Sequence, residues 1–258
     1  MKQTTRLTRN SEGELLRQKT ELKDLLNYHI LDLLNKAPRT GPFDMPVIDC
    51  HSKAFPDYLA LYQQPGLYQA GDRTAVCFYT YDKVFDGKHG LFWAIYYHDK
   101  DRLAFFRERF KEVRYFITPD YSMFGDVHVM ENLIRLWKAH VVALWFILEL
   151  HAVVIPSIAY FDLQHLDWTF SGYENCSVIA ASAKGHTRYA SERRLFMEVI
   201  KYAVDHLPLE TIIVYSACGQ DETCLKLFSY AIQRGIRIII PQNTLRERNM
   251  ARRVENGR

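Results

Sequence analysis

Five near-continuous apolar runs in the second half of the chain, each closed by small or polar residues, constrain its fold most. They are Tyr115–Asp120, Val153–Tyr160, Val178–Ser182, Thr211–Ser216 and Ile236–Pro241. A strand with one wet face alternates apolar and polar residues, so unbroken β-branched runs indicate burial on both faces. The gaps between the runs hold a helix or a short helix, the length a parallel crossover needs. The expected class is therefore α/β: a mostly parallel sheet, (β/α)-barrel-like, complete or incomplete, with an N-terminal helix. Such sheets carry their chemistry at the carboxyl ends of the strands.

With 258 residues and 48% apolar content, the chain can bury one large core. Ser11 with Glu14 three positions on reads as a capping box opening a helix to about Lys36. The stripe from Leu15 to Leu34 on that helix suits packing on the chain's own body, or pairing in a homodimer or with a partner protein. Pro38, Gly41, Pro42 and Pro46 make a stiff connector. The expected division is an N-terminal helix and linker (1–40), an α/β domain (41–244) and a basic tail (245–258). Met45 to Asp49 reads as a short strand. Ala75–Tyr81 and Leu91–Tyr97 read as two more, joined as an antiparallel hairpin because residues 82–90 are too few for a crossover helix. Helices are expected over Asp101–Glu112, Val127–Leu150, Ser191–His206 and Asp221–Arg234, the last stopped by Gly235.

Net charge is +3, and each end carries +3 of its own, which leaves a mildly acidic body. Arg246, Arg248, Arg252 and Arg253 in the tail are candidate nucleic-acid contacts, since basic tails reach phosphate backbones. Five cysteines without regular spacing, and a polar opening from Met1 to Ser11, fit a reducing cytoplasm without a secretory signal. Ala139–Leu150 is too short for the ~20 residues of a membrane span and contains Glu149, so it reads as a buried helix and no membrane partner is expected.

Thr118-Pro119-Asp120-Tyr121-Ser122 is the sharpest local motif. Proline ends the strand and leaves Asp120 beside two hydroxyls, where a carboxylate can act as general base. Asp120 and Asp162 are the candidate catalytic residues. Ser122, Tyr160, Ser182, Lys184 and Tyr215, all at or after strand ends, are candidate ligand contacts. Ser182 to Thr187 joins small residues and a lysine at a strand-to-helix turn, which suits an anion. Asn132 and Arg135, one turn apart on the next helix, are suited to anchoring the loop that holds Asp120. Cys218 reads as a structural thiol. His51, His98, Asp99, Asp120 and Asp162 would hold a metal only if they converged at one mouth; no ligand spacing names a metal or any cofactor.

From about Met45 to Gln242 the order of features resembles the domain of unknown function 4417 family of bacteria, phages and mobile elements. The resemblance rests on Phe116 to Ser122, Asn132 with Arg135, Val154-Ile155-Pro156-Ser157, Val178 to Gly185, and Leu207-Pro208 leading into Ile212 to Tyr215. It implies the fold and a mobile-element context and supplies no mechanism. The leading expectation is binding of a nucleotide or nucleic acid at the carboxyl face of the sheet. A non-catalytic protein-interaction module and a metal-assisted hydrolase are the alternatives.

Overall fold

The structure, a computed structural model, describes residues 28–70, 73–187 and 189–256. It is mixed α/β with two parallel sheets. After helix Tyr28–Leu34 comes a two-stranded antiparallel pair, β1 (Arg39–Thr40) and β2 (Met45–Pro46). The first parallel sheet has the order β3 (Tyr58–Leu61), β4 (Thr74–Cys77), β5 (Tyr115–Ile117), β6 (Val153–Ile155), and the second the order β7 (Val178–Ser182), β8 (Thr211–Tyr215), β9 (Arg237–Ile239). The five apolar runs are β5 to β9, and every ladder among them is parallel.

Two short contacts tie the sheets at their outer strands. Beyond β6, Ser157 bridges Ala180 of β7, with Ile158 N–H donating to the Ala180 carbonyl at 2.8 Å. Beyond β9, Gln242 bridges Tyr58 of β3, with Leu59 N–H donating to the Gln242 carbonyl at 2.8 Å. The inner strands are buried as their composition demands, with Ala75, Val76, Cys77, Phe116, Ile117, Ile212 and Ile213 0% exposed, while edge strand β9 is only partly buried. Phe110, Phe116 and Phe146 pack the first sheet onto its helices, with the Phe116 and Phe146 rings stacked at 3.9 Å.

The sequence missed two features here. The Leu91–Tyr97 run is not a strand: Leu91–Tyr96 is helical, and β4 pairs in parallel with β3 and β5, so there is no hairpin. Aromatic residues at helical spacing explain the error, since Phe92 and Tyr96 on one side of the helix both contact Trp137. The other miss is β3, four residues between turn signals, too short to stand out by periodicity.

Elsewhere the helices Lys100–Phe110, Val129–Leu150 and Ala190–His206 lie close to their expected places. The Asp221–Arg234 segment is broken instead into Asp221–Leu225, a 3-10 turn and Ser229–Gln233, followed by Gly235 at φ +80°. Ile30 and Leu33 of the first described helix are buried in the main core. The rest of the expected N-terminal helix, with its capping box, lies outside the described residues. No described helix is long and apolar enough to cross a membrane.

The β1–β2 pair is held to the body by His140, 1% exposed, whose Nδ1 lies 2.7 Å from the Pro46 carbonyl and whose ring stacks on Tyr173. Burial pushes the imidazole down to about 4, so it is neutral at physiological pH. Gly172, at φ +90°, closes against the same two groups: a Cβ there would lie 2.5 Å from the Pro46 oxygen and 2.6 Å from the His140 ring.

Candidate functional site

Asp120, Tyr160, Ser182 and Tyr215 all follow or close parallel strands, so they share one end of the sheets. A cleft of about 380 Å³ opens there, lined by Asp120, Ser122, Tyr160, Ser182, His186 and Glu192 among others. Pro119 ends β5 and leaves Asp120 half-buried at the floor. Neither a hydrogen bond nor an ion pair reaches its carboxylate among the described residues.

Burial, and secondarily the negative charge of Asp82, push Asp120 up from 3.8 to about 7. Asp82 is fixed by Ser122, whose hydroxyl donates to it at 3.0 Å and whose amide donates at 3.1 Å. Ser122, in the cleft lining, thus spends its hydroxyl proton on Asp82 and holds a second carboxylate near the first. Two carboxylates close together cannot both ionise cheaply in a low-dielectric site, and this is the local cause of the shift beyond simple burial.

Around Asp120 lie phenols whose ionisation is suppressed. Tyr79 is buried and pushed well up by burial and by the Asp120 charge. Its hydroxyl meets Ser157 Oγ at 3.1 Å, and the Ser157 amide donates to Thr118 Oγ1 at 2.8 Å. This polar chain crosses β4, β5 and β6 just beneath the cleft. Tyr215 packs its ring on Tyr79 at 5.0 Å and is only 1% exposed, so it supports the floor and does not line the cleft.

Two buried polar atoms in the wall have no partner: the Tyr160 hydroxyl and His186 Nδ1. His186 stacks on Phe196 at 4.5 Å, and burial lowers its pKa. Buried polar atoms are nearly always satisfied in folded proteins. Among the described residues, an unpaired phenol, an unpaired imidazole nitrogen and an unpaired carboxyl thus surround one cleft.

The remaining candidates divide. Asp162 spends a carboxylate oxygen on the amides of Gln164 and His165 at 2.9 Å and contacts His165 Nδ1 at 2.8 Å. It holds a turn and does not line the cleft. Ser182 Oγ accepts from the Lys184 amide at 3.3 Å, while Lys184 itself is exposed and outside the lining. Asn132, 0% exposed, both donates to and accepts from the Phe124 backbone, at 2.8 and 3.2 Å, and so anchors the loop after Asp120 as expected. Arg135 is spent on Glu131 of its own helix.

The basic tail is corrected in form. Residues Thr244–Asn256 are a helix, and Arg246 is 6% exposed with its guanidinium on Asp221 at 2.5 Å. Asn243 is the physical reason: it is buried, donates to the Ser216 carbonyl at 2.9 Å and accepts from the Arg246 amide at 3.0 Å, which starts the helix against β8. Arg248, Arg252 and Arg253 are exposed on it.

The five suggested metal ligands are dispersed. His51 meets Ser177, His98 stacks on His29, Asp99 caps helix Lys100–Phe110, and Asp162 holds its turn. Among the described residues, no three His, Cys, Asp or Glu side chains are grouped to hold a metal ion.

Sequence reasoning missed Asp82, His186 and Glu192. Asp82 sits four residues after Phe78 in a segment read as hairpin turn, and nothing linear ties it to Asp120. His186 was within a motif read for its lysine. No curated protein and no solved structure matches the chain. A family model does match residues 37–231, which cover the cleft lining from Asp120 to Phe196, and by that match the chain belongs to the family described as Domain of unknown function (DUF4417).

Proposed function

We propose that the cleft at the strand ends is a proton-transfer site, with Asp120 as the group that takes up or releases the proton. The observation that carries this reading is the unpaired Asp120 carboxyl, pushed up to about 7 beside the negative charge of Asp82. General acid–base groups work best when their pKa lies near the operating pH. Tyr160 and His186 then supply the hydrogen bonds that orient the ligand.

The ligand in this reading is a nucleotide or a nucleic-acid strand, entering with its base or sugar. Asp120 and Glu192 in the lining, with Asp82 behind Ser122, give the cleft an acidic character that suits donors on a base edge or a sugar hydroxyl and repels phosphate. The setting is the cytoplasm of a cell carrying a phage or mobile element, the context that the family resemblance implies. The seven parallel strands form a barrel-like ring with two weak seams, supported by the Ser157–Ala180 and Tyr58–Gln242 bridges. A ring places all the strand ends around one mouth, as the proton-transfer reading needs.

A thermal-shift screen of nucleosides, nucleotides and short single strands at pH 6 and pH 8 tests this. The expected ligand stabilises the wild-type chain to different extents at the two pH values, and Asp120→Asn removes the difference. A ligand whose effect is the same in both proteins at both pH values would remove Asp120 from the mechanism.

A further inference from the structure

A second cleft, larger than the first at about 550 Å³, opens on the other side of the one-turn helix Asp82–Phe85. Its charged lining consists of Lys83, Lys88, Arg102 and Arg109, with His89, and includes no acidic residue. None of the four cations forms an ion pair among the described residues. Three of the carboxylates nearby are committed elsewhere: Asp82 to Ser122, Asp86 to Lys138, Asp99 to the backbone amide of Arg102. Arg107, on the same helix as Arg102 and Arg109, faces away and does find an acid, Glu149, at 2.7 Å.

The two arginines are held in place by neutral groups. Arg109 donates to the Tyr62 carbonyl and, at 3.1 Å, to the Tyr68 hydroxyl, with its guanidinium 4.5 Å from the Tyr62 ring centroid. Arg102 donates to the His89 carbonyl, and its Nε is buried with no partner. Like charges gathered at one cavity repel, and a fixed guanidinium is a preformed donor to phosphate oxygens. Phe105, 50% exposed, lies in the same lining with Arg102 5.6 Å from its ring. An exposed aromatic face next to cations is the pairing that takes a base and its phosphate together.

We infer that this basic cleft binds the phosphate of a nucleotide unit, with the base stacked on Phe105. The unit is either a free nucleotide or one residue of a single strand; the chemistry at the cleft is the same. The inference stands on its own observations and does not require Asp120 to act.

Binding of ATP, inorganic pyrophosphate and a short fluorescein-labelled oligodeoxythymidylate to the full chain tests it. Lys83 and Lys88 are exposed, so Lys83→Gln with Lys88→Gln leaves the fold intact; Arg102→Gln is the second variant. Arg102→Gln is expected to weaken binding about tenfold, the loss of one good charge-assisted contact, and the double lysine variant by at least as much. Phe105→Ala should weaken ATP and the oligonucleotide and leave pyrophosphate unchanged. Binding of ATP alone assigns a free nucleotide. Binding of the oligonucleotide, with a salt slope of about −0.7 per phosphate contacted, assigns a strand. Lys184→Gln, an exposed cation outside both linings, serves as the control and should bind as wild type. No binding of any probe, or binding that survives both cation variants or is lost only in Lys184→Gln, overturns the inference.

Discussion

The two clefts on either side of helix Asp82–Phe85 are opposites in charge and alike in one respect. One keeps Asp120 without a counter-charge; the other keeps Arg102, Arg109, Lys83 and Lys88 without one. Elsewhere the chain pairs its buried charges: Lys138 lies on Asp86, and Arg246 on Asp221. A buried charge without a counter-charge costs stability, so Asp120 and the Arg102 guanidinium, whose Nε is buried without a partner, mark the two clefts as places shaped for something other than folding. The helix between them carries both signs in consecutive residues, Asp82 toward the first cleft and Lys83 toward the second.

The Lys138–Asp86 pair, just past that helix, is the strongest single point at which to break the arrangement. Both side chains are about nine-tenths buried, at 10% and 11% exposure, and Lys138 also packs over Phe92, Trp93 and Tyr121. Lys138→Met leaves Asp86 buried without its counter-charge, with an expected loss of about 3–5 kcal/mol in urea unfolding. A loss below about 1 kcal/mol would mean that the pair is solvated and does not fix the boundary between the clefts.

Asp120→Asn should act in the opposite direction. Its folded pKa, about 7, lies above its ordinary 3.8, so between those values the folded chain binds more protons than the unfolded one. Stability attributable to this group is therefore greatest below pH 4 and falls as pH rises through 7. At pH 8 the substitution should stabilise by up to about 4 kcal/mol, at about 1.4 kcal/mol per pKa unit, and at pH 4 by little. Equal stability at both pH values would place Asp120 among ordinary solvated carboxylates.

Asn132→Ala removes both bonds to the Phe124 backbone and should cost about 1–3 kcal/mol, the net worth of two hydrogen bonds at about 0.5–1.5 kcal/mol each. Hydrogen exchange should then rise over residues 121–128 and stay unchanged around Arg102. Matched changes at both clefts would show that they are not separately supported.

What was legible in the sequence follows from locality. Unbroken apolar runs report burial on both faces residue by residue, so β5 to β9 and their direction could be read directly. Pro119 marks a strand end by what it cannot donate, which placed Asp120 correctly. Asn132 was readable because an amide among apolar neighbours must find a partner. The basic cleft had no such signature. Its cations come from residues 83, 88, 102 and 109, whose convergence depends on β3 and on helix Leu91–Tyr96, the two elements the sequence hid. Asp162 and Asp120 looked equivalent as acids following a strand. Only the fold distinguishes an Asp spent on turn amides from one that has found no partner.

The most direct measurement is the titration of the Asp120 side-chain carboxyl by carbon-detected NMR, in the wild-type chain and in Asp82→Asn. A midpoint near 7 is expected, moving down in the variant because the neighbouring negative charge is gone. A midpoint near 4 in the wild-type chain, unmoved by Asp82→Asn, would contradict the assignment of this cleft as a proton-transfer site.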